Sequence, residues 1–202
     1  QSSAQSSAQS SAQSSAQSSA QSFIQDQSIG DKGWKLQALL GRGGMGEVWK
    51  SINIRQTQGA LKLMLPSLSN DFTFTQRFRG EIDALMKVKH SNIIEILDWG
   101  RDHRSGSWYF VTRYIQGQSL TSRLKAGVLS EDEARYIFSA IAQGLKVCHE
   151  AGIVHRDIKP DNIMMTQHGE PILIDFGIAL QNKSAGTTQM ATLSYAPPEQ
   201  LA

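Results

Sequence analysis

Residues 155–162 read His155-Arg156-Asp157-Ile158-Lys159-Pro160-Asp161-Asn162, and thirteen residues past Asn162 stands Asp175, in the run Ile174-Asp175-Phe176-Gly177. No other stretch of the chain restricts its fold and chemistry as much. Short apolar runs at 163–165 and 171–174, joined through His168-Gly169, read as strands that carry the two polar loops. Asp157 can accept a proton from a hydroxyl, and Asn162 can offer its amide oxygen to a metal ion. Asp175 adds a second hard oxygen, a donor set that suits Mg²⁺ better than a soft metal. Together these groups suit a site where a hydroxyl attacks a metal-bound phosphate.

The preceding residues have a different rhythm. From 34 to 64 the pattern is strand, glycine-rich turn, strand, polar turn, strand. Leu36, Leu39 and Leu40 lead into Gly41-Arg42-Gly43-Gly44-Met45-Gly46, and Glu47-Val48-Trp49-Lys50 leads out. The spacing Gly41-x-Gly43-x-x-Gly46-x-Val48 lets backbone N–H groups approach phosphates. Dinucleotide-binding folds share the glycine spacing, but there a helix follows. Here the β-prone Glu47-Val48-Trp49 predicts strand-turn-strand. Residues 60–64 read as a third strand, with Lys62 between Leu61 and Leu63, a poor place for a charge without a partner.

Residues 74–89 have helical period, with Phe74, Phe78, Ile82, Leu85 and Met86 facing inward and Glu81 on or beside that face. Residues 93–99 and 108–112 suggest a hairpin around the polar loop 101–107. The clearest helix is 130–150, where Ser130 and Glu133 form a capping box. Its stripe is Ala134, Ile137, Phe138, Ile141, Leu145 and Cys148. A mostly antiparallel sheet with one helix, then a helical part, predicts an α+β protein of two lobes.

Residues 1–22, five copies of Gln-Ser-Ser-Ala followed by Gln21-Ser22, are expected to be a disordered tether, since they offer no apolar surface to offset chain entropy. The formal net charge of +2 argues against nucleic acid or an anionic membrane as partner. Cys148 is the single cysteine, which rules out an internal disulfide and fits a reducing compartment. With no membrane-length apolar run and no signal pattern, the expected location is cytoplasmic.

The glycine loop, Lys62, Glu81, the 155–162 octet and Asp175-Phe176-Gly177 occur in the order of the protein-kinase signature set. The chain resembles a bacterial, eukaryotic-like (Hanks-type) serine/threonine protein kinase. The resemblance covers about residues 34–200 and implies a complete N-lobe over 23–112 and a partial C-lobe over 113–202. It implies ATP and Mg²⁺ as cofactors, a protein Ser or Thr hydroxyl as acceptor, and Asp157 as the base. Lys62 would grip the α- and β-phosphates, held by an ion pair with Glu81. Lys159, the form usual in Ser/Thr rather than Tyr kinases, would neutralise the γ-phosphate, and Asn162 and Asp175 would hold Mg²⁺.

Gly41, Gly43, Gly46, Val48, Ala60, Arg113, Ile115 and Met164 fall at nucleotide-contacting positions by the same resemblance. Thr112 would guard the back of the adenine pocket, with 113–115 as hinge. Leu85, Ile96, His155 and Phe176 would stack between the lobes. Thr187 and Thr188 are candidate phosphosites for pairing with Arg156, and Thr192 would help place Asp157 and Lys159. Two departures stand out: Ala191 replaces the usual Gly before that Thr, and Pro197-Pro198-Glu199 stands for Ala-Pro-Glu.

A kinase-derived nucleotide- or protein-binding module without turnover is the alternative from a different class. A small-molecule kinase explains neither Lys159 nor residues 192–199.

The family continues into further helices after the position of Glu199, so the sequence predicts a truncated domain whose lower lobe needs those helices or a partner. Each buried residue of the 130–150 stripe is worth about 1.5–3 kcal/mol, against a domain stability of about 5–15 kcal/mol. Residues 23–202 alone are therefore expected to aggregate or to melt without a sharp transition. A cooperative calorimetric transition from a soluble monomer would contradict this.

Overall fold

The computed structural model describes residues 28–176. Strands β1 (Ser28–Ile29), β2 (Trp34–Gly43), β3 (Gly46–Ile52) and β4 (Gln58–Met64) are followed by helices α1 (Pro66–Ser69) and α2 (Phe72–Leu85). Strands β5 (Ile96–Arg101) and β6 (Trp108–Arg113) complete an antiparallel sheet in the order β1-β2-β3-β4-β6-β5. Alternation along β4 and β6 sends side chains to opposite faces. Leu61 and Val111 join Trp34, Leu36, Trp49 and Tyr109 in one small core, while Met64 and Phe110 face α2 in the main core. Lys62 lies on the α2 side, opposite Val48 on β3 and Phe110 on β6. The glycine-rich segment is mostly strand: Gly43 pairs with Gly46, so only Gly44 and Met45 turn.

The inward face of α2 is Phe74, Phe78, Ile82 and Leu85, all buried. Phe78 meets Trp108 at 5.7 Å and both Trp99 and Phe110 at 6.2 Å, so an aromatic cluster seats the helix on the sheet. The helix begins earlier and ends sooner than its periodicity predicts. Asp71 caps it by accepting from the Phe74 N–H at 2.9 Å. At the other end the Lys87 and Val88 amides bond to Ala84 and Leu85, three residues back. That tighter turn buries Val88 and leaves Met86 38% exposed, contrary to the inward position expected.

Beyond the sheet come β7 (Gly117–Ser119), α3 (Leu120–Lys125), α4 (Glu131–Glu150), a 3₁₀ turn at Pro160–Asn162, β8 (Ile163–Thr166) and β9 (Pro171–Leu173). The last three strands form their own sheet, β7-β8-β9. In α4 the buried residues are Ile137, Ala140, Ile141, Gly144 and Cys148. Phe138, expected on the stripe, is 69% exposed. Only half of the expected capping box forms. The Glu133 N–H donates to Ser130 Oγ, but the Glu133 carboxylate takes Arg123 of α3 at 2.8 and 3.1 Å.

Ile93 and Ile94, expected at the head of a strand, lie instead with Asn92 in a segment that fastens the end of α2 to the small sheet. The Leu173 N–H donates to Asn92 O at 2.8 Å, the Ile94 N–H to Leu173 O at 2.9 Å, and Asn92 Nδ2 to Pro171 O at 2.8 Å.

At the far end of the main sheet, buried Asp98 accepts from Trp34 Nε1 at 2.8 Å and pairs with Lys32 at 3.0 Å. Truncation in Asp98→Ala strands a buried indole N–H and is expected to lower stability by about 1–3 kcal/mol. A lower urea midpoint at unchanged slope checks this, and Asp98→Asn, which keeps an acceptor, is expected to lose less.

Candidate active site

His155 organises the 155–162 octet. Its ring is fully buried, and Nδ1 accepts the Asp157 backbone N–H at 3.3 Å. A backbone amide can only donate, so the ring proton sits on Nε2, which donates to Ile174 O at 2.9 Å. Burial, the largest influence, holds the imidazole below its usual pKa, against the opposing effects of the Ile174 bond and of Asp157 and Asp175. The neutral ring also packs on Phe176 with centroids 4.5 Å apart. One side chain thus binds the octet to the Asp175 motif. The other members of the expected column, Leu85, Ile96 and Phe176, are buried in the main core.

Asp157 is held on three sides. Asn162 Nδ2 donates to its backbone O at 2.7 Å and to Oδ2 at 2.9 Å, and Lys159 Nζ lies 2.8 Å from the same Oδ2. Oδ1 is buried without a hydrogen-bond partner among the described residues. An unsatisfied buried acceptor needs a reason, and an incoming hydroxyl would satisfy it. The Ile174 N–H donates to Asn162 O at 2.8 Å, which sets Asn162 beside Asp175.

Both Asn162 Nδ2 protons are used on Asp157, which leaves the amide oxygen as the atom able to face a cation. Among the described residues no group of three or more His, Cys, Asp or Glu could form a metal cage. Asn162 and Asp175 offer hard oxygen atoms of the kind that Mg²⁺ takes.

The expected Lys62–Glu81 ion pair is absent. Lys62 Nζ lies 2.5 Å from Asp175 Oδ1, and Glu81 Oε1 lies 3.0 Å from Arg156 Nη1. Burial, the largest influence on Glu81, raises its pKa, and Arg156 and then Arg77 act against it. A half-buried carboxylate takes the cation within reach, here Arg156. Sequence reasoning assigned Arg156 to a phosphate and missed this contact, which joins residues 75 positions apart. Arg156 and Asp175 share a further trait: with Gln56 they are, among the described residues, the non-glycine ones at positive φ, at 66° and 55°. Such backbones gather at functional sites.

The remaining candidates line the sheet side and the hinge. Val48 pairs with Lys62, and Ala60 with Thr112, whose Oγ1 lies 3.5 Å from Ala60 O. At the hinge the Arg113 N–H donates to Glu95 O at 3.0 Å, and the Tyr114 ring lies under Lys50 Nζ at 4.9 Å. Arg113 and Ile115 also border a cavity of about 370 Å³ with His168 and Glu170. Met164, half-buried, pairs with Ser119 and Ile172. Thr187, Thr188 and Thr192 lie outside the described residues.

The family described as "Protein kinase domain" matches residues 34–202. The chain is 36% identical over 176 residues to the serine/threonine-protein kinase PknA of Mycobacterium tuberculosis H37Ra, covering 83% of this chain and 41% of that protein. It is 37% identical over 182 residues to the probable serine/threonine-protein kinase PknB of Bifidobacterium longum, over 83% of this chain and 26% of that one. The chain therefore spans less than half the length of these relatives. The crystal structure of the M. tuberculosis PknI kinase domain superposes with a TM-score of 0.66 at 30% identity, covering 76% of this chain and 63% of that one.

The glycines of the loop divide by what a Cβ would meet. At Gly46 (φ +147°) it would lie 2.0 Å from Leu63 O, whereas at Gly41 and Gly43 it meets nothing within 4 Å. Gly46→Ala is expected to lower stability by about 1–3 kcal/mol or more, measured by thermal or urea unfolding. Gly41→Ala and Gly43→Ala are expected to leave stability nearly unchanged and to weaken nucleotide binding.

Proposed function

This chain is a member of the protein kinase family, and on that premise we propose that it transfers the γ-phosphoryl group of ATP to serine or threonine hydroxyls of proteins. The observation that carries the reading is the unpartnered, buried Oδ1 of Asp157 beside Lys159 and Asn162. Asp157 orients the acceptor hydroxyl and takes its proton. Lys159, already at the Asp157 carboxylate, is the group nearest to meet charge developing on the transferred phosphoryl. Lys62 holds the α- and β-phosphates.

Asn162 and Asp175 hold Mg²⁺, which when bound neutralises charge on the β- and γ-phosphates. Gly41, Gly43 and Gly46 cover the phosphates with backbone N–H groups. Val48, Ala60 and Met164 border the adenine, and the backbone of Arg113 and Ile115 meets its edge. Residues 23–112 and 113–202 form the two lobes.

Thr192 supports Asp157 and Lys159, and Thr187 and Thr188 are phosphorylated in regulation. The partner is a protein substrate, in the cytoplasm, where ATP is supplied. No helix among the described residues is long and apolar enough to cross a membrane.

Asp157→Asn removes the base but keeps the shape of the site. Transfer of label from ATP to a protein acceptor is expected to fall about 10²–10⁴-fold, with Mg²⁺–ADP binding retained. Undiminished transfer would exclude Asp157 as base. Nucleotide binding by the unaltered protein without any transfer would instead support a silent binding module.

A further inference from the structure

The glycine-rich hairpin is braced on the face of the sheet opposite Lys62. Residues 40–43 at the end of β2 are exposed, so no buried side chain fastens that strand to the turn. Gly41, Gly43 and Gly44 add backbone freedom, which must be restrained if their N–H groups are to meet phosphate in one geometry. The β3 side of the turn is held more tightly. Gly46 fits against Leu63 O, and Met45 O accepts the Leu65 N–H at 3.0 Å. The side chain that carries this order across to β2 is Glu47. Its Oε1 lies 2.8 Å from Arg42 Nε, directly across the hairpin, and its Oε2 accepts from Trp49 Nε1 at 3.0 Å.

We propose that Glu47 is a positioning residue for the phosphate cradle, tying the far end of β2 to a buried indole through Arg42. The proposal rests on the kinase reading and adds a residue to its nucleotide site. Three observations support it. Alternation along β3 puts Glu47 on the side of Trp49, and Val48 on the side of Lys62. Glu47 therefore acts on the turn from behind, not on the nucleotide itself. Trp49 is 1% exposed in the small core, so its indole is a fixed point from which the carboxylate reaches out. Finally, the pairing of β2 with β3 skips Leu40, and a bulge there weakens the ladder that leads to the turn. Arg42 and Glu47 are 61% and 29% exposed, and an ion pair so open to solvent shifts an equilibrium about fivefold at most. Glu47 thus tunes the cradle rather than assembling it.

Calorimetric titration of the full protein with Mg²⁺–ADP, and with adenosine as its competitor, tests this. Glu47→Gln keeps an oxygen for the Trp49 N–H but loses the charge that holds Arg42. It is expected to weaken Mg²⁺–ADP binding about two- to fivefold. Adenosine binding is expected to stay unchanged, because adenosine has no phosphate for the turn to meet. Arg42→Gln is expected to give the same loss, and the double variant no more than either single one. A merely structural role for Glu47 would weaken both ligands alike. If Glu47→Gln does not fold, Glu47→Asp, too short to span both anchors, takes its place in the cycle. Three results overturn the brace while leaving the kinase reading intact. They are unchanged Mg²⁺–ADP binding in a folded variant, an equal loss for adenosine, and losses that add in the double variant, as a direct Arg42–phosphate contact would give. Failure of the unaltered protein to bind Mg²⁺–ADP overturns the kinase reading and the brace with it.

Discussion

The 155–162 loop and the Asp175 loop hang on one imidazole. His155 receives the Asp157 amide on one nitrogen and gives its only proton to the Ile174 carbonyl with the other. Both bonds need the neutral ring in a single tautomer, and burial favours the neutral form. A protonated ring would have no acceptor for Asp157 and would place a charge in a fully buried site. The placement of Asp157 relative to the strand end that carries Asp175 therefore depends on the His155 side chain. The Ile174 N–H bond to Asn162 O doubles this link, so the two loops form one rigid bracket.

That bracket also reaches α2. Leu173, next to Ile174, exchanges backbone bonds with Asn92 and Ile94, so the end of α2 and the small sheet are one hydrogen-bonded unit. The rest of α2 rests on the main sheet through Phe74, Phe78 and the Trp99–Trp108 stack, contacts without directional bonds. Apolar packing of that kind permits small rotations more readily than backbone ladders do. The helix that carries Glu81 is thus fixed at one end and cushioned along its length.

Local signals explain what could be read from the sequence. Alternation in β4 put Lys62 on one side of the sheet and Leu61 on the other, and period 3.6 identified Phe74, Phe78, Ile82 and Leu85. Errors arose where long-range contacts decided. Glu133 left its capping box for Arg123, Met86 was turned outward by a tight final turn, and residues 92–94 bonded to a strand about eighty residues away. Helix α3 and strand β7 were missed because both are short and bury little. In the site, residue identities were legible but pairings were not. Spacing in the chain cannot tell whether Glu81 meets Lys62 or Arg156, because both candidates are cations brought near by the fold.

The charges in the cleft also limit how the site can rearrange. Lys62 is one-sixth exposed and Glu81 about one-third. Neither can be left alone there without a desolvation cost comparable to a whole surface ion pair. A rearrangement that strands one group is therefore disfavoured, and only coordinated exchanges are cheap. Asp175 is the most exposed acid of the four groups, at 43%, and has the least to lose on changing partner. Any such exchange should therefore begin at Asp175, which shares a left-handed backbone with Arg156.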